Sequence, residues 1–209
     1  EAGAWVHVDG AFGLWSAADP PRSQLVAGVE LADSWTTDAH NWLNAPYDSG
    51  VCIVADGDDL RRAMAIDAAY LTTDSDRALM HLGLQMSQRA RGIETWAVIA
   101  SLGRSGVADA IDRTCVRCTE LADRLADAGV SILAPVVINQ ALAHFGDDAT
   151  TDAVIAEVQA DGTCWAGGTT WQGRQAMRLS VSSTTTTPED IETAAAAIID
   201  AWGRVRARV

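Results

Sequence analysis

An α/β domain followed by a smaller α+β domain, joined by a long helix, is the architecture this sequence predicts. Three observations carry that expectation. Over residues 1–104, short β-branched and aromatic segments alternate with helical patterns, as in a mostly parallel sheet covered by helices. A helical apolar period then runs to Ala128 and stops before Gly129. Beyond Gly129, strand-like runs, one helix, a hairpin and a final helix complete a domain over residues 105–209.

The elements follow in order. Residues 4–9 form a strand, because Trp5, Val6 and Val8 favour a pleated surface and Gly10 ends it. Its continuous apolar character belongs inside a parallel sheet, and its other neighbours are expected from upstream sequence. On this view the 209 residues are the C-terminal part of a longer protein. A loop with a short helix leads to a second strand, "LADSWTTD", and "SGVCIVAD" forms a third, followed by the helix "GDDLRRAMAI". The polar stretch "YLTTDSDRALMHLGLQ" reads as a loop or short helix. In "SQRARGIETWAVIASLGRSG", Ile93, Trp96, Ala97, Ile99 and Ala100 share a helical face, with Gly103 and Gly106 as interruptions. "VSILA" and "VVINQALAHFG" are strands, and a helix opens at Thr150 or Thr151. "TCWAGGTTWQGRQAMRLSVSS" is a hairpin turning at "QGR". The last helix has Thr187 as cap, Pro188 at its first position, Glu189 and Asp190 in its first turn and Arg204, Arg206 and Arg208 at its end.

Composition excludes some functions. Net charge is −13, opposite to the basic footprint that nucleic-acid binding needs. No apolar run reaches the roughly 18 residues of a membrane span, so a cytoplasmic location is expected. Cys115 and Cys118 form a CxxC, but within a helical pattern and without a second ligand pair. They are expected to be ordinary reduced cysteines, with no metal.

Ligands of open α/β sheets sit beyond the carboxyl ends of the strands. Asp9 ends the first strand, and Asp38, His40 and Asn41 follow the second, so all four face one crevice. Gly10 and Ala11 add small residues where a flat ligand can approach.

"WVHVDGAFG" followed by "DSWTTDAHNWLNAPYDSG" resembles the pyridoxal-phosphate-dependent group II amino-acid decarboxylases, which act on aromatic amino acids, glutamate or histidine. "DAAYL", "SQRARGIETWAVIASLGRSGV" and "MRLSVSS" extend the resemblance in the family's order over nearly the whole chain. It implies a fold type I, aminotransferase-like large domain with a small C-terminal domain, pyridoxal 5′-phosphate as cofactor, an amino-acid substrate, a homodimer, and further phosphate-binding residues upstream. Residue by residue, it places Asp9 on the pyridine nitrogen, Ala11 against the ring face, His40 near the phosphate or ring, and Asp38 in support of the cofactor. Arg178 is matched to a residue near the substrate end, with a hairpin ion pair as its alternative. Arg89 and Arg91 are matched to arginines that serve folding or dimer contacts. The family's loop tyrosine, a proton donor to the product, has no counterpart near Met80 and His81, Tyr70 lying before them. That leaves transamination or aldehyde formation as an alternative outcome.

One position departs from the pattern. The family lysine that carries the cofactor falls at Asn41, and all 15 basic residues of the chain are arginine. An amide nitrogen is not nucleophilic, because its lone pair is delocalised into the carbonyl. The chain as written is therefore expected to be inactive. It is either an enzyme that has lost one residue, by natural change or deliberate substitution, or a non-catalytic relative serving as a binding or dimerisation subunit.

Overall fold

The computed structural model describes residues 3–65 and 79–208. β1 (His7–Asp9), β2 (Ser34–Asp38) and β3 (Gly50–Val54) form one sheet in that order, β1 parallel and β3 antiparallel to β2. Pairing of Asp9 with Thr36 makes both parallel strands run out at the same end. Three 3₁₀ turns, Phe12–Ala18, Ser23–Val26 and Val29–Leu31, fill the connection where a single short helix was expected. α1 (Gly57–Met64) follows β3, capped by the Asp56 side chain on the Asp58 N–H. The loop expected over residues 70–85 lies largely outside the described residues, as does Tyr70. Its described part includes a 3₁₀ turn at Leu79–His81.

α2 (Gly92–Asp127) is one run broken at Gly103, where φ is 63° and ψ −180°. Only glycine enters that region without strain, which is why the break falls there. Gly106, expected to be a second interruption, stays helical within α2.

The second sheet contains β4 (Ser131–Ile132), β5 (Gln140–His144), β6 (Gly167–Trp171) and β7 (Arg174–Ser180), ordered β4-β5-β7-β6 and antiparallel throughout. β4 and β5 are shorter than the sequence suggests; Pro135, with no N–H to give a ladder, lies between them. The hairpin turns at Gln172 and Gly173, both at positive φ as a two-residue turn of this hand requires. α3 (Asp148–Asp161) starts ahead of the expected threonines. Asp147 caps it, accepting from the Thr150 N–H at 2.7 Å, while Thr151 turns inward to accept from the Phe145 N–H at 3.1 Å. α4 (Pro188–Arg206) has the anticipated Thr187 cap, and Asp190 returns a bond to the Thr187 N–H in a reciprocal box. Its basic end is held to α3, where Arg204 and Arg208 both reach Glu157.

Two compact units result: Glu1–Asn41 with Ala45–Gly103, and Trp42–Asn44 with Arg104–Val209. The core of the second joins Leu121 and Leu125 of α2, Val154 and Val158 of α3, Met177 and Leu179 of β7, and Ile191 and Ile198 of α4. Cys118 belongs to this core and Cys115 is buried beside it. Burial, and then the neighbouring Cys115, push the Cys118 thiol up to about 12. A reactive thiol needs the opposite shift, so Cys118 serves packing.

Candidate active site

Two loops leave the first sheet at the shared end of β1 and β2, and one carboxylate ties them together. Asp38, 7% exposed, accepts from the Phe12 N–H at 3.2 Å on Oδ2. It also takes both nitrogens of Asn41: the backbone N–H at 3.1 Å on Oδ1 and Nδ2 at 2.8 Å on Oδ2. Its own carbonyl accepts from the Trp15 indole N–H at 2.5 Å. Asp38 is thus surrounded by protein donors and holds residues 11–12 and 40–41 in place.

Asp9 differs. It is exposed at the strand tip, and Oδ1 accepts from the Ala11 N–H at 3.1 Å. The rest of its carboxylate has no partner among the described residues. Ala11 beside it is exposed as well.

Gly10 corrects one expectation. Its missing side chain makes room for protein, not for a flat ligand: a Cβ there would stand 2.8 Å from Leu14 Cβ and 3.0 Å from the Thr36 carbonyl oxygen. That closeness accompanies the Gly10 N–H bond to Thr36 O at 2.8 Å, which fastens the end of β1 to β2. Gly10→Ala is expected to destabilise the first unit by about 1–3 kcal/mol through overpacking, read as a shift in denaturation midpoint. Ala11→Ser, with an exposed side chain, should shift it by less than about 0.5 kcal/mol.

His40 is held by residues that its sequence neighbourhood did not flag. Nδ1 accepts from the Ser49 N–H at 3.0 Å, so the neutral ring carries its proton on Nε2. Tyr47 stacks on the ring at 4.2 Å between centroids, and Ser49 Oγ bonds Thr95 Oγ1 at 2.6 Å. The segment between them is clamped by the arginines of "SQRARG". Arg91 Nε donates to Asp48 at 2.7 Å, and Arg89 donates to the Tyr47 carbonyl at 3.3 Å and to Glu94 at 3.1 Å. Both arginines therefore make folding contacts inside this unit.

The Arg91 hydrogen bond, reinforced by Asp48's own backbone, holds the Asp48 carboxyl below its ordinary value. A depressed carboxylate favours the folded state above the unfolded value, near 3.9, and loses that contribution as pH falls through the folded one. Asp48 is exposed, so the titration midpoint is a better readout than stability. In Arg91→Gln the Asp48 midpoint, followed by carboxyl-carbon NMR, should move up toward the ordinary range.

The structure brings Asp9, Ala11, Asp38, His40 and Asn41 together in the first unit, and Arg178 belongs to the second. Arg178 lies on β7, paired with Leu142 and Gly167, exposed and without an ion-pair partner among the described residues. It borders a cavity of about 300 Å³ with Pro135, Gln140, Thr169 and Trp171. The hairpin ion pair considered for it is not formed. Asn41 ends the first unit's segment, and Trp42 begins one packed in the second. Trp42 is fully buried there and donates to Thr114 Oγ1 at 2.6 Å; Asn44 bonds Ser182 O and the Thr184 N–H. No described helix is long and apolar enough to cross a membrane.

The chain is 28% identical over 195 residues to mouse histidine decarboxylase, covering 90% of the chain and 29% of that protein. It is 25% identical over 195 residues to the aromatic-L-amino-acid decarboxylase of Drosophila lebanonensis, covering 90% of the chain and 48% of that protein. The chain thus spans less than half the length of either relative. The crystal structure of Oryza sativa TDC with PLP and tryptamine superimposes with a TM-score of 0.90 at 19% identity, over 97% of this chain and 45% of that one. The shared fold is type I, with mixed α/β sheets. A family model described as the pyridoxal-dependent decarboxylase conserved domain matches residues 1–135, and the chain belongs to that family.

Proposed function

We propose that this chain supplies the ring-binding side of a pyridoxal 5′-phosphate site in an amino-acid carboxy-lyase, and that Asn41 withholds the covalent attachment such an enzyme needs. One observation carries the reading: the tips of two adjacent parallel strands present Asp9, His40 and Asn41 from loops joined through Asp38. The residues fit the group. Asp9 is an exposed carboxylate with acceptor capacity left over, beside an exposed small residue that leaves a flat ring unobstructed.

When bound, pyridoxal phosphate supplies an electron sink for the carbanion left after carbon dioxide departs. Asp9 would hold the ring nitrogen, its carboxylate favouring the protonated form of that nitrogen. His40, with its tautomer set by Ser49, presents an Nε2–H donor toward the ligand. Asp38 keeps both loops in register. The family resemblance matches Arg178 to a residue whose guanidinium holds a carboxylate bidentately. Aromatic amino acids and histidine are the substrate class, by the relatives' names, and the protein acts as a homodimer.

Because the position-41 amide is tied to Asp38 and no lysine exists in the chain, a second reading as a non-catalytic, cofactor-binding subunit is also supported. An absorbance titration of the intact protein with pyridoxal phosphate tests the assignment of position 41. Asn41→Lys should gain a red-shifted band that borohydride abolishes, with the cofactor then found on residue 41 by peptide mass. A lysine variant that develops no such band overturns the site.

A further inference from the structure

We infer that Gly167 and Trp171 decide which carboxylate Arg178 accepts, and that they select one carrying a flat apolar body. This rests on the reading of Arg178 as a residue that holds a carboxylate. The strand register puts the parts on one face of the second sheet. Arg178 stands between Leu142 and Gly167, and Thr169 and Trp171 follow Gly167 at alternate positions of β6. The opposite face, with Ala141, Met177 and Leu179, belongs to the core. The segment that carries Pro135 and Val137 borders the outer face, and the two line the cavity of about 300 Å³. That volume suits one small ligand.

Among the described residues, Arg178 is the only charged one lining this cavity, and it has neither an ion-pair nor a hydrogen-bond partner. In a chain of net charge −13, a guanidinium left unpaired beside apolar walls is free to take a carboxylate from a ligand. Gly167 is an independent observation. Its φ lies outside the left-handed region, and a Cβ there would meet nothing within 4 Å. Neither backbone conformation nor packing among the described residues therefore calls for glycine, and a strand glycine of this kind marks the close approach of a ligand. Directly paired side chains stand only about 4.5–5.5 Å apart at Cβ, so any side chain at 167 would fill the space beside Arg178. The rest of the wall is apolar: Trp171, 41% exposed, offers its indole to a second ring, with Val137 and Leu142 nearby. A second carboxylate on the ligand would lose its water against these groups without gaining a partner.

Calorimetric titration of the intact protein, without added cofactor, compares phenylpropionate, glutarate and phenylpropylamine. Phenylpropionate is expected to bind at least about tenfold more tightly than the other two, because glutarate lacks the ring and the amine lacks the carboxylate. Gly167→Val should weaken phenylpropionate by at least about tenfold while the denaturation midpoint holds or rises, since valine suits a strand better than glycine. A glycine serving the fold alone would give the reverse. Trp171→Ala should bring phenylpropionate and glutarate toward parity. Arg178→Gln should abolish binding of both, and it keeps the test decisive if Gly167→Val does not fold. Glutarate binding as tightly as phenylpropionate, or phenylpropionate binding undiminished in Gly167→Val, overturns the selectivity. Absence of binding by either carboxylate overturns it together with the reading of Arg178. The pyridoxal phosphate site, read by absorbance at position 41, stands or falls separately.

Discussion

Asn41→Lys in the intact protein is expected to raise carbon dioxide release from its amino-acid substrate by about 10⁴- to 10⁵-fold, the scale of advantage a positioned amine holds over one drawn from solution. Chromatographic identification of the amine product and trapping of labelled carbon dioxide check it. The surrounding loop is built to tolerate the change. The substitution removes the Nδ2 bond to Asp38, a loss of about 0.5–1.5 kcal/mol. It leaves the backbone bonds from Asn41 N and Phe12 N to the same carboxylate, and the Ala45 N–H bond to Ala39 O at 2.9 Å. Asn41→Gln is the control: it lengthens the side chain without adding a nucleophile and should stay at the starting level. A lysine variant that folds and holds the cofactor yet releases carbon dioxide no faster than the glutamine variant would sink the carboxy-lyase assignment. Keto acid or aldehyde in place of amine would redirect it to transamination or oxidative chemistry.

The parts of this site that local chemistry specifies were readable from sequence, and the parts that distance specifies were not. Asp9 and Asp38 stand at strand ends because β-branched runs stop there against Gly10 and a polar loop, a signal contained within a few residues. The Thr187-Pro188-Glu189-Asp190 cap is equally local, since cap, proline and returning carboxylate lie within one turn. Tyr47 and Ser49 fall seven and nine residues beyond His40, past a chain reversal whose path no periodicity reveals. Arg89 and Arg91 reach back more than forty residues to Asp48 and Tyr47, and an exposed arginine gives no sign of its partner. Gly10 shows the converse error. Smallness was legible, but whether the space belongs to a ligand or to Leu14 and Thr36 is settled by packing. Asp38 was matched to a position that supports the cofactor, and the distant donor Phe12, which makes it a joint between two loops, was not legible.

Trp42→Ala is expected to destabilise the second unit by about 3–5 kcal/mol, a large share of the roughly 5–15 kcal/mol that holds a typical domain folded. Trp42 is 0% exposed, so truncation leaves a cavity as large as an indole in a close-packed interior. The loss has a second component. The Trp42 indole N–H donates to Thr114 Oγ1 at 2.6 Å, and that hydroxyl in turn donates to α2 carbonyls, at 2.9 Å to both Ala110 O and Ile111 O. Removing the indole strips the buried hydroxyl of its donor while leaving its own proton satisfied, so the hydrogen-bond part is about 1 kcal/mol and the cavity dominates. Trp42→Phe separates the two contributions, because it keeps much of the volume and loses the N–H. It should lie well above the alanine variant in denaturation midpoint and below the native protein. Trp165→Ala provides the surface reference: its side chain is 76% exposed, and its removal should cost no more than about 0.5 kcal/mol. If Trp42→Ala and Trp165→Ala unfold at the same denaturant concentration, the tryptophan that follows Asn41 does not anchor its segment in the core, and the packing described for Trp42 is wrong.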